Sequence, residues 1–207
     1  MSMQWIARLH ARRVEGRRTH VLADRLAKVI PQRCSVLDVG CGDGRVGKEI
    51  LRRRPDLKIE GVEVLVRDAV EIPVQPFDGV HLPFPDRHFD VVLFTDVLHH
   101  TADPMILLRE ASRVAQRCIV IKDHLKEGVL GAATLRFMDF VGNSRYGVVL
   151  PYNYWKREQW KDAAATLGFE EEVWSEQLHL YPWPFSLLFD RSLHVIARWK
   201  VRSTHGQ

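Results

Sequence analysis

Ten residues constrain this fold more than any others: Ser35-Val36-Leu37-Asp38-Val39-Gly40-Cys41-Gly42-Asp43-Gly44. Apolar residues close a buried strand, an acid sits among them, and glycines follow at alternate positions. A helical pattern begins at Arg45. A strand running into a glycine turn and then a helix is a common seat for a nucleotide-like cofactor. Glycine suits a turn that needs positive φ, and a Cβ would hold the ligand off. About twenty residues on, Ile59-Glu60-Gly61-Val62-Glu63-Val64 places Glu63 near the end of a second apolar run. A carboxylate there accepts hydrogen bonds from ribose hydroxyls.

This much leaves two cofactors open. Gly42-Asp43-Gly44-Arg45-Val46-Gly47 matches G-x-G-x-x-G, the dinucleotide fingerprint of NAD enzymes. The same strand, turn and acid would equally hold S-adenosylmethionine (SAM). The next segment separates them. Asp78-Gly79-Val80-His81-Leu82-Pro83-Phe84-Pro85-Asp86-Arg87-His88-Phe89-Asp90-Val91-Val92 resembles the D-x-x-x-L-P-F-x-D-x-x-F-D-x-V stretch of class I SAM-dependent methyltransferases of the type 11 group. Asp96-Val97-Leu98-His99-His100 resembles that group's L-H-H element. The resemblance covers roughly Val21 to Asp123, with weaker continuity to Trp199. It implies SAM as cofactor. The implied contacts are Asp38, Gly40, Gly42, Glu63, Asp78, Asp96 and His100, with Gly44 supporting the turn. Asp78 would meet the adenine amino group, and Asp38 would hold the loop or the methionine amino group. Two departures stand out. The group's Pro-Gly-Gly turn before the fifth strand is replaced by Arg113-Val114-Ala115-Gln116-Arg117, and the N-P-P-Y-like element used on flat amines in nucleic acid is absent.

With 207 residues, 46% of them apolar, the chain suits one domain with a full core, residues 1–207. No apolar run approaches the ~20 residues of a membrane span. The N-terminus lacks the apolar core of a signal peptide. Cys34, Cys41 and Cys118 are odd in number, widely spaced and without a C-x-x-C pair, which suits a reducing compartment and no structural metal. The expected location is cytoplasmic. Cys41 reads as a small residue packed in the turn rather than a catalytic thiol. Net charge is +4, and residues 1–28 carry seven Arg and Lys against two acids. This basic helical arm, residues 1–30, would touch nucleic acid or anionic lipid, or simply present a solvated face.

Apolar spacing predicts a helix from His20 to Ile30 and another from Arg45 to Arg54. Strands are predicted at Ser35–Val39, Lys58–Val64, Val74–Phe77, Phe89–Asp96 and Cys118–Lys122. A short helix is expected near Val66. Asp103-Pro104 reads as an N-cap opening a helix to Val114. Further helices are expected at Ala132–Val141 and Tyr154–Leu167, the latter closed by Gly168. Phe169–Trp174 and Leu193–Trp199 would form a final antiparallel pair. The fold expected is α/β: a Rossmann-like, seven-stranded, mostly parallel sheet with helices on both faces.

Candidate bases are His99, Asp123 and His124, all just beyond strand ends where open α/β sheets bind ligands. By resemblance, residues 124–152 form the insertion over the acceptor site. Phe137, Met138, Tyr152 and Tyr154, with Trp183 from the aromatic Tyr181–Phe189 loop, are the candidate acceptor contacts; as core aromatics they are equally at home. The expected activity is methyl transfer to a small, apolar or lipid-like molecule, with peripheral membrane contact and an oligomeric state left open. A tRNA or rRNA methyltransferase using the basic arm, a SAM-binding protein without catalysis and an NAD oxidoreductase are the alternatives.

Overall fold

In the computed structural model the described residues are 3–128, 131–136, 151–181, 183, 186–189 and 192–202; for 3–15, 188 and 189 only the backbone is described. The strands are β1 (Ser35–Val39), β2 (Lys58–Glu63), β3 (Val74–Pro76), β4 (Phe89–Thr95), β5 (Ala115–His124), β6 (Glu170–Ser175) and β7 (His194–Lys200). They form one sheet in the order β3-β2-β1-β4-β5-β7-β6. β1 to β5 pair in parallel, while β7 runs antiparallel to both β5 and β6. The Rossmann-like sheet with an antiparallel final pair is therefore as the sequence leads one to expect.

Alternation along the strands divides the core into two layers. Val36, Val91, Leu93 and Val120 face α1 (Met3–Val29) and α2 (Arg45–Arg53), meeting Leu22, Leu26 and Ile50. Leu37, Val92, Phe94, Ile119 and Ile121 face α3 (Pro104–Val114) and α4 (Arg157–Thr166), meeting Leu108, Ala111, Trp160 and Trp199. Each fully buried Leu, Ile or Phe contributes about 1.5–3 kcal/mol. Among the described residues, buried polar groups interrupt this alternation on the α1 side: Asp38 and Lys122, 1% and 0% exposed, with His124 and His194 at the strand ends.

Local signals set most boundaries. Asp103 Oδ1 accepts the Met105 N–H at 2.9 Å, the expected cap of α3. Gly168, at φ 71°, follows α4. Several expectations need correction. β5 begins three residues early, because α3 passes into it without a loop, and it continues through Asp123 and His124, which pair with Val195 and His194. α4 begins at Arg157 rather than Tyr154. Trp155 is drawn into the core against Trp160, ring centroids 4.9 Å apart, and Gln159 Oε1 accepts the Lys156 N–H at 3.0 Å. The helix expected near Val66 does not form. The segment is strung across the glycine turn instead, with Glu71 N–H on the Asp43 carbonyl and Gly61 N–H on the Pro73 carbonyl, each 2.8 Å. Residues 131–136 are helical, and the rest of the helix expected to Val141 lies outside the described residues. A short helix α5 (Ser186–Phe189) occupies the aromatic loop.

Candidate active site

The carboxyl ends of β1, β2, β3, β4 and β5 converge on one edge of the sheet. At the end of β1, Gly40 takes φ 67° and Gly44 takes φ 75° at the N-cap of α2. A Cβ on Gly40 would lie 2.7 Å from Val97, and one on Gly44 would lie 2.6 Å from Ile72. Both conformation and space therefore demand glycine. The Gly42 N–H donates to Glu63 Oε2 at 2.7 Å, and Glu63 Oε1 accepts the Val64 N–H at 2.9 Å. Oε1 also accepts the Leu65 N–H at 3.3 Å, so Glu63 is locked against the turn while Oε2 keeps a second lone pair to accept a hydroxyl. Asp78, just past β3, accepts the Val80 and His81 N–H groups at 2.7 and 2.6 Å. These bonds, foremost that from His81, hold its carboxyl down to about 2.

Asp38 lies beneath the turn, pointing toward Gly47 of α2. Its Oδ1 is buried and lacks a hydrogen-bond partner among the described residues. Burial, then the charge of Glu63, pushes its pKa up to about 7. Cys41 is half-buried, and burial raises the pKa of its thiol, which fits packing rather than reactivity.

At the ends of β4 and β5 the charged groups fall into two joined clusters. On the α3 side, Asp123 Oδ1 lies 2.5 Å from His99 Nδ1, and the carboxylate also accepts the Leu98 and His124 N–H groups at 2.9 and 2.6 Å. Burial would raise Asp123; His99 and His124 outweigh it and hold the carboxyl far below its ordinary range. His100 lies against His99, centroids 3.9 Å apart, and Tyr154 stacks near His99 and His124 at 5.7 Å. On the α1 side, Asp96 meets Arg18 Nη2 at 2.6 Å and the Nζ of Lys122. His124 Nδ1, 3.3 Å from Asp96, links the two clusters. Burial would raise Asp96, but Lys122 and Arg18 keep it ionised well below the usual range.

His99, Asp123 and His124 bring donor atoms within 4.8 Å of one another. At 2.5 Å, His99 and Asp123 share a hydrogen bond. Two donors on one tetrahedral zinc would stand about 3.3 Å apart. The trio in this geometry is a hydrogen-bonded network.

The structure thus assembles Asp38, Gly40, Gly42, Gly44, Glu63, Asp78, Asp96, His99, His100, Asp123, His124 and Tyr154 along one edge. Tyr152 packs near Tyr154, with centroids 6.2 Å apart. Trp183, expected as a pocket wall, is 80% exposed. Phe137 and Met138 lie outside the described residues. Sequence reasoning missed Arg18, Lys122 and His194. A lysine within the apolar run Cys118–Lys122 is the signal that pointed to one of them.

A glycine turn flanked by acids at three successive strand ends defines an α/β domain that holds a nucleoside-bearing cofactor. A family model described as a methyltransferase domain matches residues 10–175, and the chain belongs to that family, the class I SAM-dependent methyltransferases. Its cofactor is SAM, which settles the choice the glycine turn left open against NAD. The chain is 30% identical over 108 residues to the 27-O-demethylrifamycin SV methyltransferase of Amycolatopsis mediterranei, covering 45% of this chain and 39% of that one. It is 29% identical over 87 residues to the tRNA U34 carboxymethyltransferase of Nautilia profundicola, covering 36% and 28%. The matches thus span well under half the length of these curated relatives. A chain from the complex between the Haloferax volcanii Trm112 methyltransferase activator and a methyltransferase superposes with a TM-score of 0.69 over 96% of both chains, at 15% identity. That likeness is one of fold.

Proposed function

We propose that the protein transfers the methyl group of SAM to a small, apolar or lipid-like acceptor, with His99 as the base. The observation that carries this reading is the buried His99–Asp123 pair at the sheet edge that bears the glycine turn. When bound, SAM supplies an electrophilic methyl on a good leaving group, so the protein's work is alignment and exclusion of water. Glu63 would receive the ribose hydroxyls and Asp78 the adenine amino group. Asp38 and Asp96 would face the methionine ammonium, and the unpartnered Asp38 Oδ1 suits such a donor.

Asp123 is a positioning residue in this scheme. By accepting from His99 Nδ1 it assigns the tautomer in which Nε2 carries the lone pair. Nε2 then takes the acceptor's proton as the acceptor atom attacks the methyl. Its own bonds to Leu98 and His124 N–H groups keep Asp123 an anion, able to stabilise the imidazolium that forms. His124, bridging Asp96 and Asp123, joins the cofactor-facing carboxylate to the base. Tyr152 and Tyr154 would flank the acceptor.

An apolar acceptor is supported by the aromatic loop, where Trp183 and Leu187 are 80% and 69% exposed. Among the described residues no helix is long and apolar enough to cross a membrane, so contact with lipid would be peripheral. The rifamycin relative also acts on a small molecule, by its name. A second reading, transfer to tRNA, draws on the tRNA relative and on a cavity of about 460 Å³ between α1 and α2 lined by Arg45, Lys48 and Arg52. It is weaker because Lys48 and Arg52 already pair with Glu71 and Glu49, and Arg18 of the basic arm is turned inward on Asp96.

Incubation with methyl-labelled SAM and either a cell lipid and metabolite extract or total tRNA tests this. Label is expected in the organic-soluble product, reduced about 10²–10⁴-fold by His99→Asn. Label confined to RNA would establish the second reading, and no reduction in His99→Asn would remove the base.

A further inference from the structure

Lys122 is fully buried within β5, where an apolar side chain would continue the pattern of Cys118 and Val120. Lysine is almost never fully buried unless paired. Its backbone is fixed on both sides, opposite Thr95 of β4 and Ile196 of β7. Its carbonyl accepts the Asp96 N–H at 2.8 Å, and its Nζ donates to Asp96 Oδ1. Asp96 is thus gripped by main chain and side chain of one residue. It also holds φ 57°, in the left-handed region that non-glycine residues seldom enter.

We propose that Lys122 is a positioning residue, which clamps Asp96 from beneath so that its carboxylate presents toward the amino-acid end of the cofactor. This rests on the SAM-dependent reading above. A turn residue held in a sparsely populated conformation needs surrounding structure to fix it. Lys122 provides that support at Oδ1 from a rigid strand, whereas Arg18 reaches the other carboxylate oxygen, Oδ2, from α1, with its side chain one-third exposed. The other groups facing the pair are His124, 3.3 Å from Asp96, His194 Nδ1, 3.5 Å from Lys122 Nζ, and Asp123. His194 is buried and, against Lys122, is held neutral, its pKa lowered first by burial and then by that charge. It therefore adds no second cation beneath the clamp. An ion pair placed only for stability would be better replaced by apolar residues, since burying both charges is rarely a net gain.

The test is a double-mutant cycle on SAM affinity, using Lys122→Met, Asp96→Asn and the two combined, with carboxyl titration of Asp96 by carbon-13 NMR in the cofactor-free protein. Lys122→Met should weaken SAM about tenfold or more and raise the Asp96 titration. The double variant should bind SAM no worse than Asp96→Asn alone. Its melting temperature should recover toward wild type, because the fully buried Lys122 charge is removed with its partner and only the one-third-exposed Arg18 loses a carboxylate, while its SAM affinity should not. If Lys122→Met does not fold, the double variant against Asp96→Asn decides. Equal affinity supports action through Asp96, and a further tenfold loss overturns it. Unchanged affinity in folded Lys122→Met, with wild type binding SAM normally, overturns the clamp alone. A wild type that fails to bind SAM ends the functional reading and the clamp with it.

Discussion

Asp38→Asn should stabilise the cofactor-free protein, and the gain should depend on pH in one direction only. Asp38 is 1% exposed, and burial followed by the charge of Glu63 lifts its pKa from 3.8 up to about 7. An acid raised in the folded state binds its proton more tightly there than when unfolded. Stability is then greatest below pH 4 as far as this group is concerned, and falls as pH rises toward 7. Above 7 the loss is complete, and a lift of this size corresponds to roughly 4 kcal/mol. Relaxation of the surroundings reduces that, so a gain of about 2–4 kcal/mol is expected for asparagine at pH 8 and almost none at pH 4. Asparagine keeps the shape and leaves a neutral amide where a charge stood. Urea unfolding of both proteins between pH 4 and 8 gives the difference directly, and titrating groups remote from Asp38 cancel. A difference that is flat with pH, or largest at pH 4, would refute the reasoning. With saturating SAM the gain should shrink or reverse, because the ammonium would then face a carboxylate that asparagine cannot replace.

Two other substitutions probe the edge of the sheet. Glu63→Ala should weaken SAM by roughly 1.5–3 kcal/mol, the range for hydrogen bonds to a charged group. Calorimetry measures this, and unchanged affinity in a folded variant would place the ribose acid elsewhere. Gly44→Ala should destabilise by about 1–3 kcal/mol, because alanine is strained at φ 75° and its Cβ would stand 2.6 Å from Ile72. A melting temperature within a degree of wild type would show that the turn has another conformation open to it.

Local rules made much of the fold legible. Ser35–Gly44 announced a strand and a turn because only glycine satisfies those φ angles, and Asp103-Pro104 announced a helix because cap and φ agree. Legibility failed where distant contacts decide. Lys122, Asp123 and His124 look like a strand leaving the core, yet β7 pairs them and distant carboxylates and imidazoles satisfy them. Arg18 resembles any other arginine of a basic arm. Only the packing of α1 brings it to Asp96, 78 residues away. The helix expected near Val66 was lost to hydrogen bonds with the glycine turn. At the site, the acids of β2 and β3 were visible as strand ends. The division of labour between Asp123 and His99 was not, because spacing says nothing about which oxygen meets which nitrogen.

The glycine turn and the acids beside it suit SAM and not a nicotinamide dinucleotide. Isothermal titration of the purified protein with SAM, S-adenosylhomocysteine, NAD and NADP tests it most directly. One site should bind SAM and S-adenosylhomocysteine, weakened by Glu63→Ala, with no heat from either dinucleotide. Saturable binding of NAD or NADP with no response to SAM would contradict it.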